Sequence, residues 1–422
     1  MPTYDHDSRI RDDACPGAVR LHPAEDGGLA RIRVPGGRLT ADQMRSVASA
    51  AHELGHQHIE LTSRGNMQVR GLREDAGEEL ARRLSASGLL PSVPHERVRN
   101  ILGSPLSGCD RIGLVDVQPL VTDLDERLCG DPELTALSGR FLFAFDDGRG
   151  DVAGLGADVS VLAVGPHEVA LLLAGSDTGL RTPPGSAAAV MHVAARAFLA
   201  EREAQGSGAW RLAELDRGSP RVTARVRAVL DGTEHPLRQG AALPDLPTPE
   251  ATVPAGAIEG RDGQVTLATV VPLGRLSGEQ AAALADVASA GAGEIRLTPW
   301  RGALIPFMLD PARKHMSTVE RAGLVTDPMS PWIGVTACTG RPGCGKALAD
   351  VQTDAARALP LLPTGKAVHW AGCARRCGVP RGDVVDVVAT EGGYQVSHGD
   401  QVRTHNGNID DAATAVAASR RE

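Results

Sequence analysis

The sequence predicts an α+β protein made by internal duplication, its two halves arranged about a pseudo-two-fold axis. Three observations carry that expectation: a repeated segment, a Pro-rich stretch between the copies, and four clustered cysteines in the second half alone. Residues 27–72 read GGLARIRVPGGRLTADQMRSVASAAHELGHQHIELTSRGNMQVRGL, and residues 262–307 read DGQVTLATVVPLGRLSGEQAAALADVASAGAGEIRLTPWRGALIPF. Both run through strand, Gly-Arg-Leu-Ser/Thr, amphipathic helix, glycine-containing loop, strand, Arg-Gly turn and strand. The interval from Arg38 to Arg64 is 26 residues, and so is that from Arg275 to Arg301.

Each element has a local reason. Thr40 and Ser277 are hydroxyl N-caps for the two repeat helices. A helix over 41–54 places Met44, Val47, Ala51 and Leu54 on one face. FLFAF (141–145) and VSVLAV (159–164) read as strands ahead of a long helix from Ser186 to Gln205. The stretch ALPDLPTPEATVPAGAIEG has no periodicity and reads as a linker. In the second half a helix is expected near Lys346–Leu359, VVDVVAT (384–390) is strand-like, and DDAATAVAASRR closes the chain as a helix. The expected units are a half-repeat over 1–90, an α/β domain over 91–240, a linker over 241–260, a second half-repeat over 261–328 and a second α/β domain over 329–422.

Composition sets outer limits. With 42% apolar residues in 422, this is an ordinary globular chain with room for several cores. No stretch reaches the roughly 18 uninterrupted apolar residues of a membrane span. The polar, acidic N-terminus is unlike a secretory leader, so a cytoplasmic protein is expected. Net charge −8 and 3% aromatics argue against nucleic-acid binding. Of 44 basic residues only Lys314, Lys346 and Lys366 are lysine, so guanidinium groups are abundant for two-point recognition of carboxylates.

The cysteines carry the chemistry. Cys338-x5-Cys344 and Cys373-x3-Cys377 are separated by 28 residues and set among Gly340, Gly343, Gly372 and Gly378. Four thiolates on two tight loops suit a 4Fe–4S cube, one cysteine per iron. Structural zinc is the competing reading, and the five-residue gap counts against it. Disulfides are not expected in a reducing compartment. Cys15, Cys109 and Cys129 stand alone and read as small packing residues.

These motifs have a family likeness. ELTSRGNMQVRGL, RVRNILGSPL and the two cysteine pairs, in this order over nearly the whole chain, resemble the sirohaem-dependent sulfite and nitrite reductases. That resemblance implies two ferredoxin-like half-repeats and two α/β domains around a tetrapyrrole beside a 4Fe–4S cluster. ACPGAVRLHPAEDGGLARIRVPGG, SPLSG, FLFAFDDGRGDVAGLGADV, RLTPWRG and CARRCGVPRGDV resemble the precorrin-3B synthase branch. In the reductases four basic residues surround the small oxyanion. Arg33 and Arg99 match two of them, but the Lys-Phe-Lys triplet is matched by Arg140-Phe141-Leu142, so one cation is replaced by leucine.

The branch implies O2-dependent hydroxylation of precorrin-3A at C20 with γ-lactone formation. Arg33, Arg99 and Arg140 are then expected at the reacting centre. Thr62, Arg64, Asn66, Gln68, Arg70, Asn100 and Arg301 are expected to bind the tetrapyrrole. Cys338, Cys344, Cys373 and Cys377 are expected to hold the cluster. The partners implied are precorrin-3A, O2 and an electron donor, either NADH or a redox protein. The branch also implies a mononuclear non-haem iron. His22, His52, His56 and His58 and Asp146, Asp147, Asp151 and Asp158 are available to it, and none is named as a ligand. The alternatives are a sirohaem-dependent reductase, which would carry sirohaem in the slot, and a non-catalytic iron–sulfur or tetrapyrrole-binding protein.

Overall fold

A computed structural model describes residues 13, 15–244, 254–260, 263–308, 312–406 and 409–421. Residues 245–253 of the expected linker lie outside the described residues, and its end, Gly256–Glu259, is a strand paired with Val265–Val270 and not linker. The two repeats build two antiparallel five-stranded sheets, and each sheet takes one strand from the other repeat. The first runs in the order His22–Ala24, Gly27–Ile32, Met67–Leu72, His58–Leu61, then Arg275–Ser277 from the second repeat. The other runs Gly256–Glu259, Val265–Val270, Gly302–Met308, Glu294–Leu297, then Arg38–Thr40 from the first repeat. The Gly-Arg-Leu-Ser/Thr motif is thus the exchanged strand in both copies.

The exchange is followed at once by a helix. Thr40 caps Ala41–Leu54 and Ser277 caps Gly278–Ser289, each in a capping box closed by Gln43 or Gln280. Met44, Val47, Ala51 and Leu54 are all buried, as the helical period predicts. The two helices pack on one another, and a single apolar core runs through both repeats, from Ile32 and Val69 to Leu284 and Ile305.

Duplication extends into the α/β units. In the first, Ile101–Gly103, Phe143–Asp146 and Val159–Gly165 are parallel neighbours continued by antiparallel strands Glu168–Leu173 and Ser176–Thr182. In the second, Val335–Ala337, Ala367–Ala371 and Val384–Thr390 are parallel and continued by antiparallel Gly393–His398 and Gln401–Asn406. A helix crosses between the first two strands each time, Gln118–Gly130 and Val351–Ala358. The long helix expected from Ser186 is present as Ala187–Ala204 and packs on the first sheet. The closing helix is Ile409–Ser419.

One element differs from expectation. The helix predicted from Lys346 begins only at Val351, where Asp350 accepts the Thr353 N–H. The preceding residues serve the cysteine loops instead. Leu348 N–H bonds Gly372 O at 2.7 Å and Arg341 N–H bonds Ala349 O at 2.9 Å, which holds the chain out of helical shape.

Because the repeats share one core, damage to either should unfold both. Met44→Ala and Leu284→Ala each remove a fully buried side chain. Each is expected to cost about 2–5 kcal/mol and to shift the same cooperative transition. Thermal unfolding followed by circular dichroism and calorimetry checks this, and separate transitions for the two variants would show independent repeats.

Candidate functional site

The cysteines sit at the carboxyl ends of adjacent parallel strands. Val335–Ala337 leads into Cys338, and Ala367–Ala371 leads through Gly372 to Cys373, with Ala337 in register with Trp370. Ligands of open parallel sheets gather at such ends. All four thiols are free. Gly372 N–H donates to Cys338 Sγ at 3.1 Å. Burial pushes the Cys338 thiol up, Gly372 and Gly340 N–H groups oppose that, and Cys344 and Cys373 add to it. Burial likewise raises Cys377, reinforced by Cys338, Cys373 and Cys344, so the four thiols lie near enough to feel one another's charge. Among the described residues no three His, Cys, Asp or Glu side chains gather tightly enough for a single metal ion. A cube takes its thiolates at four separate corners, and four neighbouring thiols with N–H donors fit it.

Each half-repeat grips one cysteine loop with an arginine. Arg70 Nη2 donates to Gly343 O at 2.5 Å while its guanidinium forms a bidentate pair with Asp26 at 3.0 and 2.8 Å. Arg301 Nη2 donates to Gly378 O at 2.8 Å. His369 lies beneath the second loop, its Nδ1 2.9 Å from Thr336 Oγ1. Burial first, then Arg301, pushes its imidazole down to about 3, so it is neutral at physiological pH.

A cavity of about 220 Å³ opens where the two repeats and both α/β units meet. Ser63 and Arg64 come from the first repeat, Pro299 and Trp300 from the second, Leu102, Leu142, Leu155 and Arg211 from the first α/β unit, and Pro380 and Arg381 from the cysteine loop. Leu142 is buried in an apolar cluster with Leu102, Ala144, Val152 and Ala157. Burial, then Arg211 and Arg31, lowers Arg64 to about 10. A smaller cavity beside it holds Arg301 and shares Ser63, Pro299, Trp300 and Pro380 as wall. Arg64 and Arg301 therefore face adjoining spaces, not one undivided space.

Arg33 and Arg99 line a different cavity, of about 300 Å³, together with Gln118 and residues 292–294 of the second repeat. Arg33 is almost fully buried; among the described residues its Nε and Nη1 have no hydrogen-bond partner, and Nη2 reaches Gly139 O at 3.5 Å. Arg64 Nη1 reaches the same carbonyl at 3.5 Å. Burial, then Arg31 and Arg64, holds Arg33 well below the usual guanidinium range. An unpaired buried cation costs several kcal/mol, so this group is poised for an anion. Arg99, by contrast, is committed to Asp125 at 2.7 and 2.6 Å and to Leu89 O. Arg140 is half-exposed, stacked 4.8 Å over Trp210 and 3.9 Å from Asp13.

The polar residues expected at the tetrapyrrole mostly brace the turn. Thr62 Oγ1 accepts the Arg64 and Asn66 N–H groups. Asn66 Oδ1 accepts Val34 N–H, and its Nδ2 donates to Asn100, which donates in turn to Gly139 O at 2.7 Å. Gln68 joins Arg31 to Glu60. Of the groups available to a mononuclear iron, His52 is exposed at a helix end, His58 bonds His56 O, and Asp146 accepts four backbone N–H groups of its own loop. Asp147 pairs with Arg149, Asp151 accepts from Ser104, and Asp158 holds Arg211 and Leu142 N–H. Cys109 is buried as read; Cys15 and Cys129 are partly buried.

Arg211 and Arg381 were missed as site residues. Arg381 is four residues beyond Cys377 inside a quoted motif, a signal that was available. Arg211 lies in an interhelical loop with no motif, and only the fold brings it to Gly156 O and Asp158.

Comparison with known proteins agrees with this geometry. The nitrite/sulfite reductase ferredoxin-like half domain matches residues 22–87 and 258–311, one copy in each half. The chain is 28% identical over 404 residues to a precorrin-3B synthase of Sinorhizobium sp, covering 91% of this chain and 82% of the relative. It is 29% identical to a ferredoxin–nitrite reductase of Synechococcus elongatus, covering 84% and 74%. The solved structure of the Mycobacterium tuberculosis NirA protein superposes with a TM-score of 0.74 at 21% identity, over 92% of this chain and 79% of that one. Among the described residues no helix is long and apolar enough to cross a membrane. The half domain of nitrite and sulfite reductases is thus present twice, and the chain has the fold of those proteins, with exchanged strands around one core.

Proposed function

We propose that the chain is a precorrin-3B synthase that uses O2 to hydroxylate precorrin-3A at C20 with closure of a γ-lactone. The observation that carries this reading is Leu142. It stands where the reductases place a lysine, and it is buried with Leu102 and Ala144 on the wall of the cavity that Arg64, Arg211 and Arg381 rim. Reduction of a small anion by several electrons needs a dense positive field and proton supply at the reacting atom. An apolar wall with a guanidinium rim suits a large ring with carboxylate arms.

Arg64 and Arg381 would orient the acetate and propionate groups, with Arg211 held by Asp158 and with Trp300 and Leu142 against the ring. Arg33, buried and unpaired, would answer the negative charge of the bound polyanion. A 4Fe–4S cluster on Cys338, Cys344, Cys373 and Cys377 supplies single electrons when bound. Exposed Arg375 and Arg381 flank exposed Cys377 and offer a cationic approach to a donor with an acidic face. The mononuclear iron of this branch belongs to the reading without assigned ligands. The competing reading, a sirohaem-dependent nitrite or sulfite reductase, draws support from the equal similarity to the cyanobacterial nitrite reductase.

Three outcomes are expected. Cys344→Ser lowers iron and acid-labile sulfide content and removes the visible cluster absorption; unchanged content would refute the ligand set. Arg64→Ala weakens precorrin-3A binding by about 1.5–3 kcal/mol, the usual worth of a charge-assisted hydrogen bond, measured by calorimetric titration. Arg99→Ala instead lowers thermal stability, because partly buried Asp125 loses its partner, at a cost of about 3 kcal/mol. The decisive assay supplies precorrin-3A, a reductant and ¹⁸O2. Label in the new hydroxyl supports the reading, and robust nitrite or sulfite reduction without tetrapyrrole product overturns it.

A further inference from the structure

Arg64 and Arg301 occupy equivalent places in the two repeats, each 26 residues after the arginine of the exchanged strand. Their surroundings have diverged. Arg64 lines the larger cavity and reaches Gly139 O of the first α/β unit. Arg301 turns to the cysteine loops. Its Nη2 donates to the carbonyl of Gly378, the residue after Cys377. Burial lowers it, to about 10, and the charges of Glu60 and then Cys338 oppose that.

The fold makes deliberate room for this guanidinium. A Cβ at Gly274 would lie 2.4 Å from Arg301 Cδ, and one at Gly378 would lie 2.6 Å from its Nη2. Gly274 and Arg301 both adopt positive φ, +70° and +60°. The left-handed region is costly for arginine, so the turn is shaped to aim this side chain. Arg301 makes no ion pair with a carboxylate among the described residues. Arg70, the grip on the other loop, is neutralised by bidentate Asp26. A carboxylate oxygen of Asp26 would lie 2.9 Å from a Cβ at Gly343, and one of Glu25 would lie 2.7 Å from a Cβ at Gly345. The loop of Cys344 thus faces an ion pair and a carboxylate, and the loop of Cys377 faces a buried net cation.

We infer that Arg301 is the counter-charge of the cluster site and not a substrate ligand: it sets the reduction equilibrium of the group held by Cys338, Cys344, Cys373 and Cys377. The inference rests on the cluster assignment made above. Reduction adds one negative charge to the cluster, and a nearby buried cation favours that state because interior charges are weakly screened. Arg301 is on this account a positioning and tuning residue that acts through the cluster.

The test uses the full chain purified without oxygen as wild type, Arg301→Gln, Arg301→Met and Arg301→Lys. Iron and sulfide content are measured first, then the cluster is titrated reductively and followed by its electron paramagnetic resonance signal. The neutral variants are expected to shift the one-electron equilibrium about tenfold toward the oxidised form, or roughly 59 mV. Arg301→Lys is expected to restore most of it. Neutral variants that lose the cluster while Arg301→Lys keeps it at the wild-type potential also support the inference. Fully loaded neutral variants at the wild-type potential overturn it, as does a lysine variant that loses the cluster with the others, since the role would then be steric. A wild type without iron and sulfide refutes the cluster reading itself, a separate outcome.

Discussion

The exchange of one strand between repeats is the constraint on which the molecule depends. Arg38–Thr40 completes the second sheet and Arg275–Ser277 completes the first. Neither repeat therefore satisfies its own sheet edge, and the two helices that follow are forced together over one core. The same crossing fixes the Arg-Gly turns, because each lies one helix and one strand beyond the exchanged strand. The turn of one repeat comes to the space between the α/β units, and the turn of the other to its neighbour. A site shared among four units follows from backbone pairing before any ligand is considered.

Charge explains the next layer. Several buried arginines are neutralised close by, as Arg70 is by Asp26 and Arg99 by Asp125. Arg33 and Arg301 are not, and both are buried. A buried cation without a carboxylate costs stability, and Arg420, the other such group among the described residues, offsets that with hydrogen bonds to the carbonyls of Lys366, Pro331 and Ile333. Arg33 and Arg301 lie at the seam, one lining a cavity of the first half and one against the cysteine loops of the second. Arg64 and Arg301 are the equivalent positions of the two repeats, and their surroundings differ, Gly139 O of the first α/β unit for one and Gly378 O of the cysteine loop for the other.

Much of this was legible in the sequence because it was local. The repeat, its capped helices, the faces of Met44 and Leu54 and the cysteine loops all follow from spacing and side-chain type. Strand exchange was not legible, because a three-residue strand pairs through its backbone and carries no mark of which edge it will join. The delayed start of the helix at Val351 was hidden for a similar reason: Leu348 bonds across to Gly372 of the other cysteine loop, and Ala349 accepts from Arg341 within its own. Arginines were the least readable. Arg64, Arg70, Arg99 and Arg301 look alike in sequence, and only the positions of Asp26, Asp125 and the loop carbonyls separate tethers from free cations. Asn66 and Asn100 had the chemistry to bind a tetrapyrrole, but the turn consumes their hydrogen bonds.

The central claim is that the slot belongs to a substrate and the cysteines to a cluster. The visible and electron paramagnetic resonance spectra of the chain purified without oxygen, with iron and sulfide measured on the same sample, test it most directly. The expected result is four irons and four sulfides in a 4Fe–4S cluster, with one further iron for the mononuclear site, and no tetrapyrrole bands until precorrin-3A is added. A tightly bound haem-like chromophore in the freshly purified protein, or zinc in place of the cluster, would contradict it.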